Sequence, residues 1–351
     1  MLSRYLFAVL IAFFLLGTAA AGEEDAVRRI AVAGFANKTG DEKMDWVSAG
    51  LRASLTRRLL RLEKVVTMDS PAVMRSRLEL GIAREDAPKL EEAAKIGEHL
   101  GVDVVIIGSY EKAPTGISVE VRFVRPESSE CLEKTVRCAG PAVTVTSELA
   151  VKVAEALGIK VARPEALTKN LTNNAKAFES YCKGIRFKES EDTVEKAIEL
   201  FIAATKEDPG FAAAHFELGW LFTVTGGAPM YRAAVKEYQK AVNLYPEYAE
   251  AYNNMGVAYT LLEDGTKALR AFLKAVELLP DYIDAHYNLG KLYDARRQYD
   301  RAVAEYKKTV ALSPRDAVAY NNLETLELYA KTLLYARIIG EPKPIPPDKT
   351  D

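Results

Sequence analysis

The residues from Ala251 to Pro280 read AYNNMGVAYTLLEDGTKALRAFLKAVELLP, and from Ala285 the chain nearly repeats itself as AHYNLGKLYDARRQYDRAVAEYKKTVALSP. Aligned on Gly256 and Gly290, the two copies lie 34 residues apart. Pro246, Pro280 and Pro314 keep that interval, as do Tyr259 and Tyr293, Ala268 and Ala302, and Phe272 and Tyr306. A fixed period of this length restricts the fold severely. One such unit cannot bury its apolar face alone, so neighbouring units must stack and share a continuous core. Within a copy the apolar positions recur at three- and four-residue spacing, which is a helical stripe. The expected unit is therefore a pair of helices. Gly290 and Ala302 fall where the two helices cross closely, and Leu289, Tyr293 and Tyr306 fill the space around the crossing. Pro314 lacks an N–H and cannot continue the second helix.

The order of residue types (a bulky residue, Leu-Gly, an aromatic, then Ala, an aromatic, Ala and Pro) resembles the tetratricopeptide repeat family. Two earlier copies follow the same order. Leu218, Gly219, Phe222, Ala234, Tyr238, Ala241 and Pro246 form one, with three extra residues expected in its turn, TVTGGAPMYRA. Gly184, Phe187, Ala197, Phe201, Ala204 and Pro209 form another, with one extra residue in its turn. After Pro314 the segment AVAYNNLETLELYAKTLLYA starts like a first helix but carries Glu324 at the glycine position. It reads as a capping helix over the last apolar face. Residues 174–337 are thus expected to hold four repeats and a cap. The tail over 338–351, EPKPIPPDKTD at its end, is proline-rich and polar, the composition of an extended, disordered segment.

The amino terminus reads MLSRYLFAVLIAFFLLGTAAAGEED. Arg4 precedes an apolar run from Tyr5 to Leu16, and Ala19 and Ala21 supply a small-x-small cleavage site, so residues 1–21 read as a secretory signal peptide. An uncleaved anchor is the alternative and the only route by which this chain would touch a membrane. No cysteine stands at the cleavage site, which argues against a lipoprotein.

Residues 27–160 read as one α/β domain with a mixed sheet, joined to the repeats by a linker over 161–173. In RRIAVAGF, Ile30, Val32 and Gly34 alternate with Ala31, Ala33 and Phe35, so both sides are apolar and the strand is expected to be central. A helix follows, with Val47, Leu51, Leu55, Leu59 and Leu62 on one stripe and Arg57, Arg58 and Arg61 on other faces. KVVTM is a short strand. Met74 and Leu78, then Ile96 and Leu100, mark two more helices. GVDVVIIGSYEK is a second buried strand. Ile117, Val119, Val121 and Phe123 alternate with polar residues, giving a strand with one wet face, and CLEKTVRC is its hairpin partner. Ser147 is expected to cap a last helix through Ala156. The motifs IAVAGFANKTGDE, SAGLRASLTRRLLRLEKVVTM and AKIGEHLGVDVVIIGSYEK, taken in order, resemble the TolB amino-terminal-like domains, including the flagellar FlgO group and, more distantly, the curli channel protein CsgG. That resemblance implies interaction roles at the bacterial envelope and no chemistry. The family's proline before the phenylalanine is replaced here by Ala33-Gly34.

Sites for chemistry are not apparent. His99, His215 and His286 stand without partners at metal-ligand spacing and read as packing or surface residues. Cys131 and Cys138 on one strand would be about 23 Å apart, and a disulfide needs Cα atoms within about 7 Å. Cys182 reads as a small apolar filler on a repeat helix. No phosphate loop or nucleophile elbow appears, so no metal, cofactor or small-molecule substrate is expected. A formal net charge of -2 with 27% charged residues gives no polycationic surface for nucleic acid. The binding surface is expected on the first helices of the repeats. Asn254, Asn288 and Asn322 share one register and could bond the backbone of an extended peptide. Tyr181, Phe216, Trp220, Asn253, Tyr287 and Lys291 are placed on the same inner side. Lys291 alone represents the basic residues that a carboxylate-binding groove would need. The sequence therefore reads as a non-enzymatic adaptor, exported to the periplasm or envelope, that binds a protein or peptide partner. The alternative is an oligomeric assembly factor of an envelope or secretion apparatus.

Overall fold

The structure is a computed structural model that describes residues 27–68, 70–82, 87–161, 167, 172–188, 194–314 and 317–339. The expected signal peptide, most of the linker, the turn of the first repeat and nearly all of the tail lie outside the described residues. No helix among the described residues is long and apolar enough to cross a membrane.

The first domain runs β1 (Arg28–Asn37), α1 (Trp46–Leu59), β2 (Val65–Thr67), α2 (Ser70–Glu79), α3 (Leu90–Leu100), β3 (Val104–Ala113), β4 (Gly116–Arg125), β5 (Glu130–Gly140) and α4 (Ala142–Ala156). Its strands form one sheet in the order β2-β1-β3-β4-β5. β1 pairs in parallel with β2 and β3, and β3, β4 and β5 form an antiparallel meander. Helices cover both faces. α1 and α4 pack Leu51, Leu55, Leu149 and Val153 on one side, while α2 and α3 pack Val73, Ala93 and Ile96 on the other. Covering on both sides is why β1 is apolar at every central position.

Three local expectations are corrected. Phe35 lies with Ile30 and Val32 instead of opposite them, because the ladder to β3 shifts register between Val32 and Gly34. Such a bulge turns the side chains that follow to the other face, and it leaves the Ala33 carbonyl to accept a 3.0 Å bond from Arg77. The last helix begins at Ala142 behind Pro141, more than a turn before Ser147, since a proline with its fixed φ is already suited to a helix entry. The three extra residues of the second repeat do not widen its turn. They lengthen its second helix to 17 residues, against 14 in the repeats that follow. Gly226 and Gly227, at φ of 85° and 88°, stop the preceding helix, and Pro229 sits in the first turn of the longer one.

The second half pairs α5 (Ala175–Lys188) with α6 (Val194–Glu207), α7 (Ala212–Thr225) with α8 (Ala228–Leu244), α9 (Ala249–Leu261) with α10 (Gly265–Leu278), and α11 (Ile283–Ala295) with α12 (Tyr299–Leu312). α13 (Ala317–Ile339) packs Leu323 and Leu326 against the last pair, as a cap should. The repeat glycines mark equivalent crossings. A Cβ on Gly184, Gly219, Gly256 or Gly290 would stand 2.6–2.8 Å from the ring of Phe201, Tyr238, Phe272 or Tyr306, respectively. Each aromatic ring lies against bare backbone, and that contact fixes how far apart the helices of a pair can be.

Two of the histidines and the cysteines take structural places. His215 and His286 bridge the helices of their own repeats, each with Nδ1 2.7 Å from a carboxylate, Glu237 or Glu305, and Nε2 against the carbonyl of Pro209 or Pro280. Cys131, Cys138 and Cys182 are all free thiols.

Candidate functional site

α1 is covered on two sides, and this creates the site. Val47, Leu51, Leu55 and Leu59 face the sheet. Ala53, four residues after Ala49 and three after Gly50, forms with them a second stripe of small residues. That stripe receives α5, the first helix of the solenoid: Ala49 and Ala53 join the core of Phe178, Tyr181, Cys182 and Ile185. A Cβ at Gly50 would overlap Sγ of Cys182 and stand 2.9 Å from its Cβ. The α/β domain therefore sits on the inner surface of the first repeats.

One turn further along α1, Arg57 enters the groove. Its Nη1 donates to the hydroxyl of Tyr181 at 2.7 Å and its Nη2 to Glu217 at 2.7 Å. Its guanidinium carbon lies 5.2 Å from the ring centre of Phe216 and 5.9 Å from that of Tyr248. Lys188 donates to the other oxygen of Glu217 at 2.7 Å and lies over Trp220. Burial works against the charge on Glu217, but Lys188 and Arg57 outweigh it and hold the carboxyl below its ordinary range. Burial opposes the charge on Arg57 too, and Tyr181, Tyr248, Glu217 and Glu250 outweigh it, so the guanidinium stays charged. A buried charge is tolerated when it is paired and hydrogen-bonded in this way.

Arg58, the next residue, is placed differently. It is 2% exposed, its Nη2 reaches Thr146 at 3.4 Å, and its Nε and Nη1 have no hydrogen-bond partner among the described residues. Burial, and after it the charges of Arg61 and Arg57, push this guanidinium down to about 9. Replacing an incompletely satisfied buried ion by an apolar group of similar length is often neutral or stabilising by about 1–4 kcal/mol. Arg58→Met is therefore expected to hold or raise the urea midpoint, and a fall of the midpoint would show that Arg58 has a structural partner.

Beyond Arg57 the two domains diverge and enclose a cleft of about 760 Å³. One wall is the α/β domain: Thr56, Arg57 and Leu60 from α1 and its end, Val66, Thr67 and Met68 from edge strand β2 and the residue after it, and Arg75 and His99. The other wall is the solenoid, with Phe216, Glu217 and Trp220 of α7, Glu250, Asn253, Asn254 and Val257 of α9, and Tyr287 and Asn288 of α11. The carboxamides bond along the wall, Asn288 Nδ2 to Asn253 Oδ1 at 2.9 Å and Asn253 Nδ2 to Asn254 Oδ1 at 3.1 Å.

The cleft thus brings together Phe216, Trp220, Asn253, Asn254, Tyr287 and Asn288. Three residues expected on the inner side are not among its lining. Tyr181 is fully buried beneath Arg57. Lys291 is exposed, with its ammonium 5.7 Å from the ring of Tyr287. Asn322 is half-buried on α13. The expected amide row therefore shortens to Asn254 and Asn288 with Asn253 between them. Sequence reading missed Arg57, Lys188, Glu217 and Glu250. The available signal was the Ala49, Gly50 and Ala53 stripe, which gives α1 a second surface for close helix packing.

Such a fold is an α/β domain carried on a tetratricopeptide repeat solenoid. Residues 247–315 match the tetratricopeptide repeat family model. Among solved structures, MamA is 28% identical over 44% of this chain and 88% of its own, with a TM-score of 0.39. YrrB, described as a tetratricopeptide protein with an unusual peptide-binding site, is 22% identical over 45% and 80%, with a TM-score of 0.37. The first tetratricopeptide domain of Spaghetti (RPAP3), bound to the HSP90 peptide SRMEEVD, is 22% identical over 34% and 93%, with a TM-score of 0.32. Curated proteins offer no sequence match.

Proposed function

We propose that this chain is a non-enzymatic adaptor whose interdomain cleft holds an extended segment of a protein partner. The observation that carries this reading is the pairing of walls. Among the described residues β2 is an edge strand with only β1 beside it, and its Val66 and Thr67 line the cleft opposite the carboxamides and aromatics of α9 and α11. An edge strand offers backbone groups to an added strand. Carboxamides supply both a donor and an acceptor to the same guest, and buried aromatics are the usual energetic anchors of such contacts. Stacked repeats of the matched kind curve into an extended concave surface suited to holding another chain.

We further propose that the protein acts in the bacterial envelope after export, from its amino-terminal sequence and the TolB-like motifs. The assembly-factor reading has less to support it. The other sheet edge, β5, carries Glu130, Glu133, Lys134 and Arg137, charges of the kind that block edge-to-edge pairing.

Affinity capture from an envelope extract, comparing wild type with Trp220→Ala plus Asn288→Ala, tests the cleft. Truncating anchors of this kind costs about 2 kcal/mol or more, so captured partner is expected to fall at least about tenfold. An unchanged set of partners would exclude the cleft as the binding surface.

A further inference from the structure

We infer that the segment held in the cleft presents a lysine or arginine side chain and that Glu250 receives it; this rests on the cleft reading above and specifies its ligand. Glu250 is 7% exposed and lines the cleft. Its Oε2 is buried without a hydrogen-bond partner among the described residues, and its Oε1 lies 4.0 Å from Arg57 Nε, beyond hydrogen-bond reach. The neighbouring cations are committed elsewhere. Both terminal nitrogens of Arg57 are used by Tyr181 and Glu217, and Lys188 is bound to Glu217. Glu217 is thus saturated from two sides while Glu250, one repeat over, is not. A buried carboxylate oxygen left in this state is expensive and calls for a charged donor.

The surroundings suit a long basic side chain more than a bare N–H. Asp284, also on the cleft lining, adds negative charge to the solenoid wall. An acidic guest would find both terminal nitrogens of Arg57 and the ammonium of Lys188 already bound and would meet Glu250, whose charge Arg57 offsets only from 4.0 Å. Position along the chain follows from α9. Glu250, Asn253, Asn254 and Val257 occupy one helical stripe and all line the cleft. At about 1.5 Å rise per residue the stripe is about 10 Å long, the span of about three extended residues. The basic side chain therefore enters at the Arg57 end, and the next two or three residues of the guest pass the carboxamides.

The test uses the full chain and fluorescent nonapeptide pools, blocked at both ends, degenerate except for one fixed central residue: Lys, Arg, Gln, Glu or Asp. Anisotropy titrations should show the Lys and Arg pools binding at least about tenfold tighter than the Glu and Asp pools. Glu250→Gln should reduce the Lys and Arg pools to the level of the Gln pool, and Glu250→Lys should reverse the preference, with thermal melts confirming that both variants are folded. Binding of all pools alike, or an unchanged preference in folded Glu250→Gln, overturns the inference and leaves the cleft reading standing. No binding of any pool by wild type overturns both.

Discussion

Arg57→Ala is expected to destabilise the protein by about 3–5 kcal/mol, the cost of removing one partner from a buried ion pair. Three consequences add up in this change. Glu217, whose side chain is 2% exposed, keeps Lys188 but loses its second cation. The Tyr181 hydroxyl, fully buried, loses the donor at 2.7 Å. The rings of Phe216 and Tyr248 lose the guanidinium packed over them. Unfolding in guanidinium chloride, followed by circular dichroism, measures the loss. Arg57→Lys should recover only part of it, because one ammonium cannot reproduce two divergent N–H contacts and a flat stacking surface. A change below about 1 kcal/mol, the range of an exposed pair, would mean that Arg57 is not inserted in the groove.

Gly50→Ala is the second large effect, with an unusual sign pattern. Glycine within a helix is worse than alanine by about 1 kcal/mol, so α1 considered alone gains. Docked against α5, the added Cβ overlaps Cys182, and overpacking of this kind costs about 1–3 kcal/mol. The α/β domain should therefore keep its own stability while its contact with the solenoid weakens. Protease sensitivity within α5 is expected to rise although the far-ultraviolet spectrum is unchanged. Adding Cys182→Ala removes the sulfur and should restore part of the protection, but not all of it, because the Cβ of residue 182 still stands 2.9 Å away. Equal protease resistance in wild type and Gly50→Ala would show that the two helices are further apart than described.

How much of this could be read from the residues depends on range. The repeat period locates Gly184, Gly219, Gly256 and Gly290 against their aromatics because each contact lies within one unit and recurs. The two-sided apolar pattern of β1 predicts a central strand for the same local reason. The side taken by Phe35 was not legible. A bulge is a property of two paired strands, and Val32 meets Ile106 only once the sheet has assembled, so no residue near Phe35 encodes the shift alone. The site was harder still. Arg57 meets Tyr181 and Glu217 across separations of 124 and 160 residues, and no local pattern encodes that meeting. What the residues did carry was a helix with two packing stripes: apolar toward the sheet, and small at Ala49, Gly50 and Ala53. The groove residues were half legible. Register puts Asn254, Asn288 and Trp220 on the inner side, and all three line the cleft. It does not reveal which stretch of that side the α/β domain already covers, and Tyr181 falls within it.

One inner surface is divided between the protein's own α/β domain and an open cleft. Amide hydrogen exchange on the full chain tests this division most directly, since opening of a docked interface exposes both of its helices at once. Arg57→Ala is predicted to raise exchange in α1 and α5 together while α11 and α12 keep their protection. Faster exchange in α1 with α5 unchanged would contradict the docking of one on the other.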